Sequence, residues 1–191
     1  MKILVCISHV PDTTSKINFK ENNTEFDNNG IQYVINPNDE FGLTRAIWFK
    51  EKQGATVDVI NVGGQETDPT LRKALAIGAD SAIRINTYPK DAFSVAAEIS
   101  KIAIDRNYDL IIAGRESIDY NGGMVPGMIA ANIGAGFINN CISIEINNSD
   151  VNAIRETDGG KETLSTNLPL VIGSQKGLVE ESDLKIPICE E

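Results

Sequence analysis

An open, mainly parallel α/β sheet with helices on both faces is the fold class this sequence predicts, with antiparallel strands added in its last third. Three observations predict it. Short runs rich in Val, Ile and Leu recur at residues 2–7, 56–62, 81–85 and 108–113. They lack polar alternation, which marks strands buried on both faces, as in parallel sheets. Helical patterns separate these runs, and beyond residue 137 the chain changes to four short strands joined by turns.

The elements follow in order. Residues 2–7 form the first strand, and the polar stretch 12–29 comes next, dense in Asn, Thr and Lys. Alternation at 16–19 and again at 31–35, with turn residues between, predicts a hairpin that pairs these two segments. Asn36-Pro37-Asn38-Asp39-Glu40 reads as a helix start with Asn or Asp as N-cap. Phe41, Leu43, Ala46 and Ile47 then suit an amphipathic helix that Gly54 ends. A strand at 56–62 closes at Gly63-Gly64, and a helix over 66–77 ends at Gly78. A strand at 81–85 leads to a helix over 93–106, with Val95, Ala96, Ile99, Ile102 and Ala103 on one face. The strand at 108–113 gives way to a loop over 114–123. Pro126, pre-set for a first helical turn, opens a helix to Ile133. Strands are expected at 141–146, 151–156, 162–167 and 170–173, with a turn at Asp158-Gly159-Gly160. No repeat or low-complexity linker divides the chain, so residues 1–191 read as one domain.

Composition narrows the function classes. The 191 residues suffice for a real core, and 41% hydrophobic with 23% charged residues is globular composition. Lys and Arg number 17 against 27 Asp and Glu, a net charge of −10, which repels nucleic acid. No apolar run approaches the roughly 20 residues that span a bilayer, so membrane insertion is not expected. The opening residues read as a strand rather than a signal peptide, which makes the cytoplasm the expected location. Cys6, Cys141 and Cys189 form no paired motif, and with His9 the only histidine an all-protein zinc or haem site is not expected.

In open α/β sheets ligands bind beyond the carboxyl ends of the strands. That edge offers residues 6–11, 36–39, 62–65 and 114–125. Gly122-Gly123-Met124-Val125-Pro126 is the best phosphate-holding candidate: two glycines permit close backbone approach and a helix N-terminus supplies exposed N–H groups. On spacing alone the paired glycines read more readily as a plain turn than as a phosphate site, because no dinucleotide fingerprint or P-loop is present. His9 follows a strand end without an evident nucleophile and reads as a packing residue. Cys6 lies in an apolar strand and reads as an inert small hydrophobe. Glu116 and Asp119 could pair for acid–base work, although loop carboxylates more often cap or bind hydroxyls.

Several segments together resemble the electron transfer flavoprotein beta family. They are the opening Lys2-Ile3-Leu4-Val5 with Val10-Pro11-Asp12, and Asn36-Pro37-Asn38-Asp39-Glu40. Leu71-Arg72-Lys73-Ala74-Leu75-Ala76 with Gly78-Ala79-Asp80 follows, then Asp109-Leu110-Ile111 with Gly114 and Ile118-Asp119. Arg155-Glu156 with Asp158-Gly159-Gly160 and Glu162-Thr163 precedes the final Leu168-Pro169. The matches keep their order across nearly the whole chain.

The resemblance implies an adenine nucleotide α-hydrolase-like fold and a role as the beta subunit of a heterodimer without catalysis of its own. Such a subunit buries AMP structurally. It docks acyl-CoA or related dehydrogenases, so that electrons reach the FAD of the alpha subunit and pass on to a quinone reductase in fatty acid oxidation. A bifurcating subgroup holds a second FAD in the beta site. Carried over by position, the nucleotide contacts are Cys6, Asn36, Pro37, Asn38, Asp39, Val62, Gly114, Ser117, Ile118, Asp119, Asn121, Gly122, Gly123, Met124 and Val125. The dehydrogenase-docking loop falls at Leu184, Ile186 and Pro187, with Ile186 as the apolar anchor. Two departures stand out: His9 replaces a frequent Lys, and Met124-Val125-Pro126 replaces a Gln-containing run, removing an amide donor near the phosphate. The resemblance also leads to the expectation that the family's C-terminal arm around the alpha subunit is absent here. The competing readings are an ATP-binding protein of the same fold, and a scaffold that holds no nucleotide.

Overall fold

The computed structural model describes residues 1–188. In chain order it contains β1 (Lys2–Cys6), β2 (His9–Pro11), β3 (Phe19–Lys20), β4 (Glu25–Phe26), β5 (Tyr33–Ile35), α1 (Pro37–Gln53) and β6 (Thr56–Val62). Next come α2 (Asp68–Ile77), β7 (Ser81–Ile85), α3 (Ala92–Arg106), β8 (Leu110–Gly114) and α4 (Val125–Ile133). The last strands are β9 (Gly136–Asn147), β10 (Asp150–Thr157), β11 (Gly160–Asn167) and β12 (Leu170–Ser174).

The main sheet has the order β11-β10-β9-β12-β8-β1-β6-β7. From β9 to β7 the neighbours run parallel, and β10 and β11 extend the sheet antiparallel from β9. β9 serves both halves: its amino end pairs with β12, and its carboxyl end pairs with β10. The expected α/β fold is therefore present, with its antiparallel addition.

Both faces of the central strands are covered, which explains their unbroken apolar sequence. Ile3, Val5, Leu110 and Ile112 face α1 and α2 and pack with Phe41, Leu43, Ala46, Leu71 and Ala74. Leu4, Cys6, Ile111 and Ala113 face the opposite way and pack with Ala96, Ile99, Ala103, Ile129 and Ala130 of α3 and α4. Gly54 ends α1 in the left-handed region, with φ +67°, as expected of a glycine stop.

The hairpin expected between residues 16–19 and 31–35 does not form. Instead Tyr33–Ile35 runs antiparallel to His9–Pro11, placing a small ribbon just beyond the end of β1. Phe19–Lys20 pairs with Glu25–Phe26 around a turn in which Glu21, Asn22 and Asn23 all have positive φ. The local turn was legible, but the segment with the better apolar alternation found its partner farther away.

The winding places the site. From β1 the chain passes through α1 to β6 and through α2 to β7, and α3 then returns it to β8 on the other side of β1. This reversal makes the carboxyl ends of β1 and β8 the switch point of the sheet, the place where open α/β sheets hold ligands.

Candidate functional site

The switch point is framed by the start of α1. Asp39 is buried, and its two carboxylate oxygens accept from backbone N–H groups on either side of the switch point. Ser8 N donates at 2.7 Å, and Gly114 N at 2.8 Å. One side chain thus ties the end of β1 to the end of β8. Burial pushes the Asp39 carboxyl up to about 7, against the opposing pull of these hydrogen bonds and of Asn36. Gly114 is dictated by this arrangement, because a Cβ there would overlap the Asp39 carboxylate and crowd Asn36.

Asn36 stands at the N-cap position of α1, as expected, but its side chain makes no capping hydrogen bond. It reaches across to the loop after β8, donating to the carbonyl of Glu116 at 2.9 Å and accepting from Ile118 N at 3.2 Å. Asn38 donates to the same Glu116 carbonyl at 3.0 Å. Pro37, as the first helical residue, supplies α1 with a suitable φ while lacking an N–H that needs a partner. The polar side chains of this segment are therefore occupied in holding the loop over 114–118. Contact with a ligand would pass through the backbone they position.

Farther along, the loop folds on itself. Asn121 adopts positive φ, its N–H donates to Ser117 O at 2.8 Å, and its amide, oriented as a donor, reaches the Ser117 and Ile118 carbonyls. Gly123 has φ +61°, a conformation suited to glycine, and Gly122 has open space where a side chain would stand. Gly122, Gly123 and Met124 are exposed, and α4 begins at Val125 without a side-chain cap. Cys6, Val62 and Ala113 are buried in the core on the α3–α4 side of the strand ends, with Val125 packed against that cluster.

The candidate catalytic groups do not assemble. Burial, with the Asp39 charge beside it, pushes the Cys6 thiol far above its ordinary range, so it carries no thiolate. His9 stacks on Tyr33 with ring centroids 4.2 Å apart, and its Nδ1 lies 2.7 Å from Thr70 Oγ1. Burial lowers its pKa despite the nearby Glu66. Glu116 pairs with Arg115 at 3.0 Å, whereas Asp119 stands exposed; burial raises the Tyr33 hydroxyl above its ordinary range, and the Asp119 charge adds to that shift.

Ser174, at the end of β12, escaped sequence reasoning. Its hydroxyl donates to Asn38 O at 2.8 Å, and its carbonyl accepts from Arg115 N at 2.8 Å, bracing both sides of the switch point. A serine after an apolar run gives little signal, because its role depends on β12 inserting beside β8.

The expected docking residues lie elsewhere, against the carboxyl ends of α1 and α2. Leu184 packs on the core, Pro187 is half-buried, and Ile186 is 78% exposed.

The chain matches the electron transfer flavoprotein domain family over residues 24–187. It is 34% identical over 191 residues to electron transfer flavoprotein subunit beta of Bacillus subtilis (strain 168), an alignment covering 98% of this chain and 74% of that relative. The chain belongs to the electron transfer flavoprotein beta-subunit family. The beta subunit of Dictyostelium discoideum is 31% identical over 97% of this chain and 75% of its own length. Protein FixA of Azotobacter vinelandii is 30% identical over 94% of this chain and 67% of its own. Among the described residues of this beta-family chain, no helix is long and apolar enough to cross a membrane.

Proposed function

We propose that this chain is the nucleotide-holding and docking subunit of a heterodimeric electron transfer flavoprotein. It holds AMP structurally at the carboxyl ends of β1, β6 and β8 and pairs with a flavoprotein alpha subunit in the cytoplasm. Acyl-CoA or related dehydrogenases dock on the loop around Ile186, and electrons pass to the alpha-subunit FAD and on to a quinone reductase. The chain itself makes and breaks no bonds.

The observation that carries this reading is the Asn36–Asp39 tether. Its hydrogen bonds fix the ends of β1 and β8 and the loop that leads into α4. The residues present fit one nucleotide monophosphate. Cys6, Val62 and Ala113 close the strand ends with buried apolar side chains, and backbone groups at those ends can read the edge of a base. Gly122 and Gly123 let the chain approach a phosphate, which the N-terminus of α4 favours electrostatically. Pro126 donates no N–H there, which makes this turn a poor cradle for a triphosphate. In the loaded heterodimer the FAD would supply the redox chemistry, and this chain's part is to bind, orient and present.

The test is electron transfer by the chain co-expressed with its flavoprotein subunit. Reduction by an acyl-CoA dehydrogenase should require both subunits, and Ile186→Ala should weaken docking while sparing the fold and the bound nucleotide. Unchanged transfer in Ile186→Ala would sink the docking assignment.

A further inference from the structure

The last described segment is not a free tail. At Lys185 the backbone N–H donates to Thr44 Oγ1 at 3.1 Å, and the ammonium reaches Glu51 at 2.7 Å; both acceptors lie on α1. At Ile188 the backbone N–H donates to Ala76 O of α2 at 3.0 Å. Between these pins the chain arches over an apolar hollow of about 420 Å³, bordered by Ile47, Ile77 and Leu184. The arch leaves Ile186 78% and Ile188 73% exposed. Lys185 and Glu51 neutralise one another, so the crest is apolar with no unpaired charge from either residue.

Thr44 stands out within this arrangement. It is 1% exposed in a helix whose other buried positions are mostly apolar, and its hydroxyl is what meets the Lys185 N–H. A buried hydroxyl that accepts a backbone N–H fixes position more firmly than the solvent-exposed Lys185–Glu51 pair, which contributes little by itself.

We infer that Thr44 is a positioning residue for partner docking: it preorganises the arch so that Ile186 enters an apolar pocket on the dehydrogenase without first being ordered. This rests on the docking role proposed for Ile186. Preorganisation acts on affinity, because a segment already in its bound shape loses less freedom on association. The residue touches neither flavin nor nucleotide, so turnover at saturation is unaffected.

Thr44→Val keeps the shape and removes the acceptor, whereas Thr44→Ser keeps the hydroxyl. In the heterodimer, assayed with an acyl-CoA dehydrogenase as the varied electron donor, Thr44→Val should raise KM for the dehydrogenase roughly two- to tenfold, the net worth of one hydrogen bond. Its kcat and nucleotide content should match wild type, and Thr44→Ser should restore KM. An unchanged KM in Thr44→Val, or an equal rise in Thr44→Ser, overturns the inference. Ile186→Ala, measured alongside, separates the two levels. If it raises KM while Thr44→Val does not, docking stands and the positioning role falls; if it changes nothing, both fall.

Discussion

The buried carboxyl of Asp39 makes stability depend on pH in a direction opposite to that of a salt-bridged aspartate. Its pKa is raised from 3.8 to about 7 in the folded chain, with burial as the largest cause. Between those values the native state therefore holds a proton that the unfolded state has lost. Unfolding free energy must then fall as pH rises through this window, with the contribution fully present below 3.8 and lost by the time pH passes 7. Integrated from pH 5 to 8, this single group removes about 3 kcal/mol. Asp39→Asn abolishes the titration. It also places an NH₂ group against one of the two N–H donors from Ser8 and Gly114, which leaves that donor unpaired at a cost of about 1–3 kcal/mol. The variant should thus be less stable than wild type at pH 5, and the gap should close or invert by pH 8. Urea unfolding of both proteins at the two pH values, compared as a difference, cancels other groups such as His9. A difference that stays constant with pH, or widens as pH rises, would refute the reasoning.

Other outcomes follow from the same geometry. Gly114→Ala should overlap the Asp39 carboxylate and lower unfolding free energy by about 1–3 kcal/mol, the usual range for overpacking, with weakened nucleotide retention; denaturant melts and nucleotide content report both. Cys6 should resist alkylation in the native protein and react on unfolding, because its thiol is buried and its pKa is raised; peptide mass spectrometry after iodoacetamide labelling checks this. Under the proposed AMP role, adding AMP to nucleotide-stripped protein should raise the thermal midpoint, because a ligand held only by the native state stabilises it by mass action.

Much of the fold was legible because the central strands are buried on both faces. Ile3 and Val5 point to one helix layer and Leu4 and Cys6 to the other, so the sequence carries no polar alternation there. Helix ends were legible too, since Gly54 and Gly78 stop α1 and α2. Pairing partners were not. Alternation at 31–35 states that a strand exists but not that it joins His9–Pro11, and nothing in residues 170–174 states that they slot between β9 and β8. Ser174 remained invisible for the same reason. The Asn36–Asp39 segment was legible as part of the edge beyond the strand ends, and the structure refines how it acts. Asn36, Asn38 and Asp39 spend their side chains on strand ends and loop, a use that helix-start chemistry alone does not reveal.

The most direct test of the central claim is to identify what the assembled protein holds. The chain, co-expressed and purified with its flavoprotein alpha subunit, would be denatured and the released nucleotides quantified by mass spectrometry. One FAD and one AMP per heterodimer is the expected result. Two FAD with no AMP would contradict the AMP assignment and move the chain to the bifurcating type, and a single FAD alone would contradict nucleotide binding at the β1–β8 switch point.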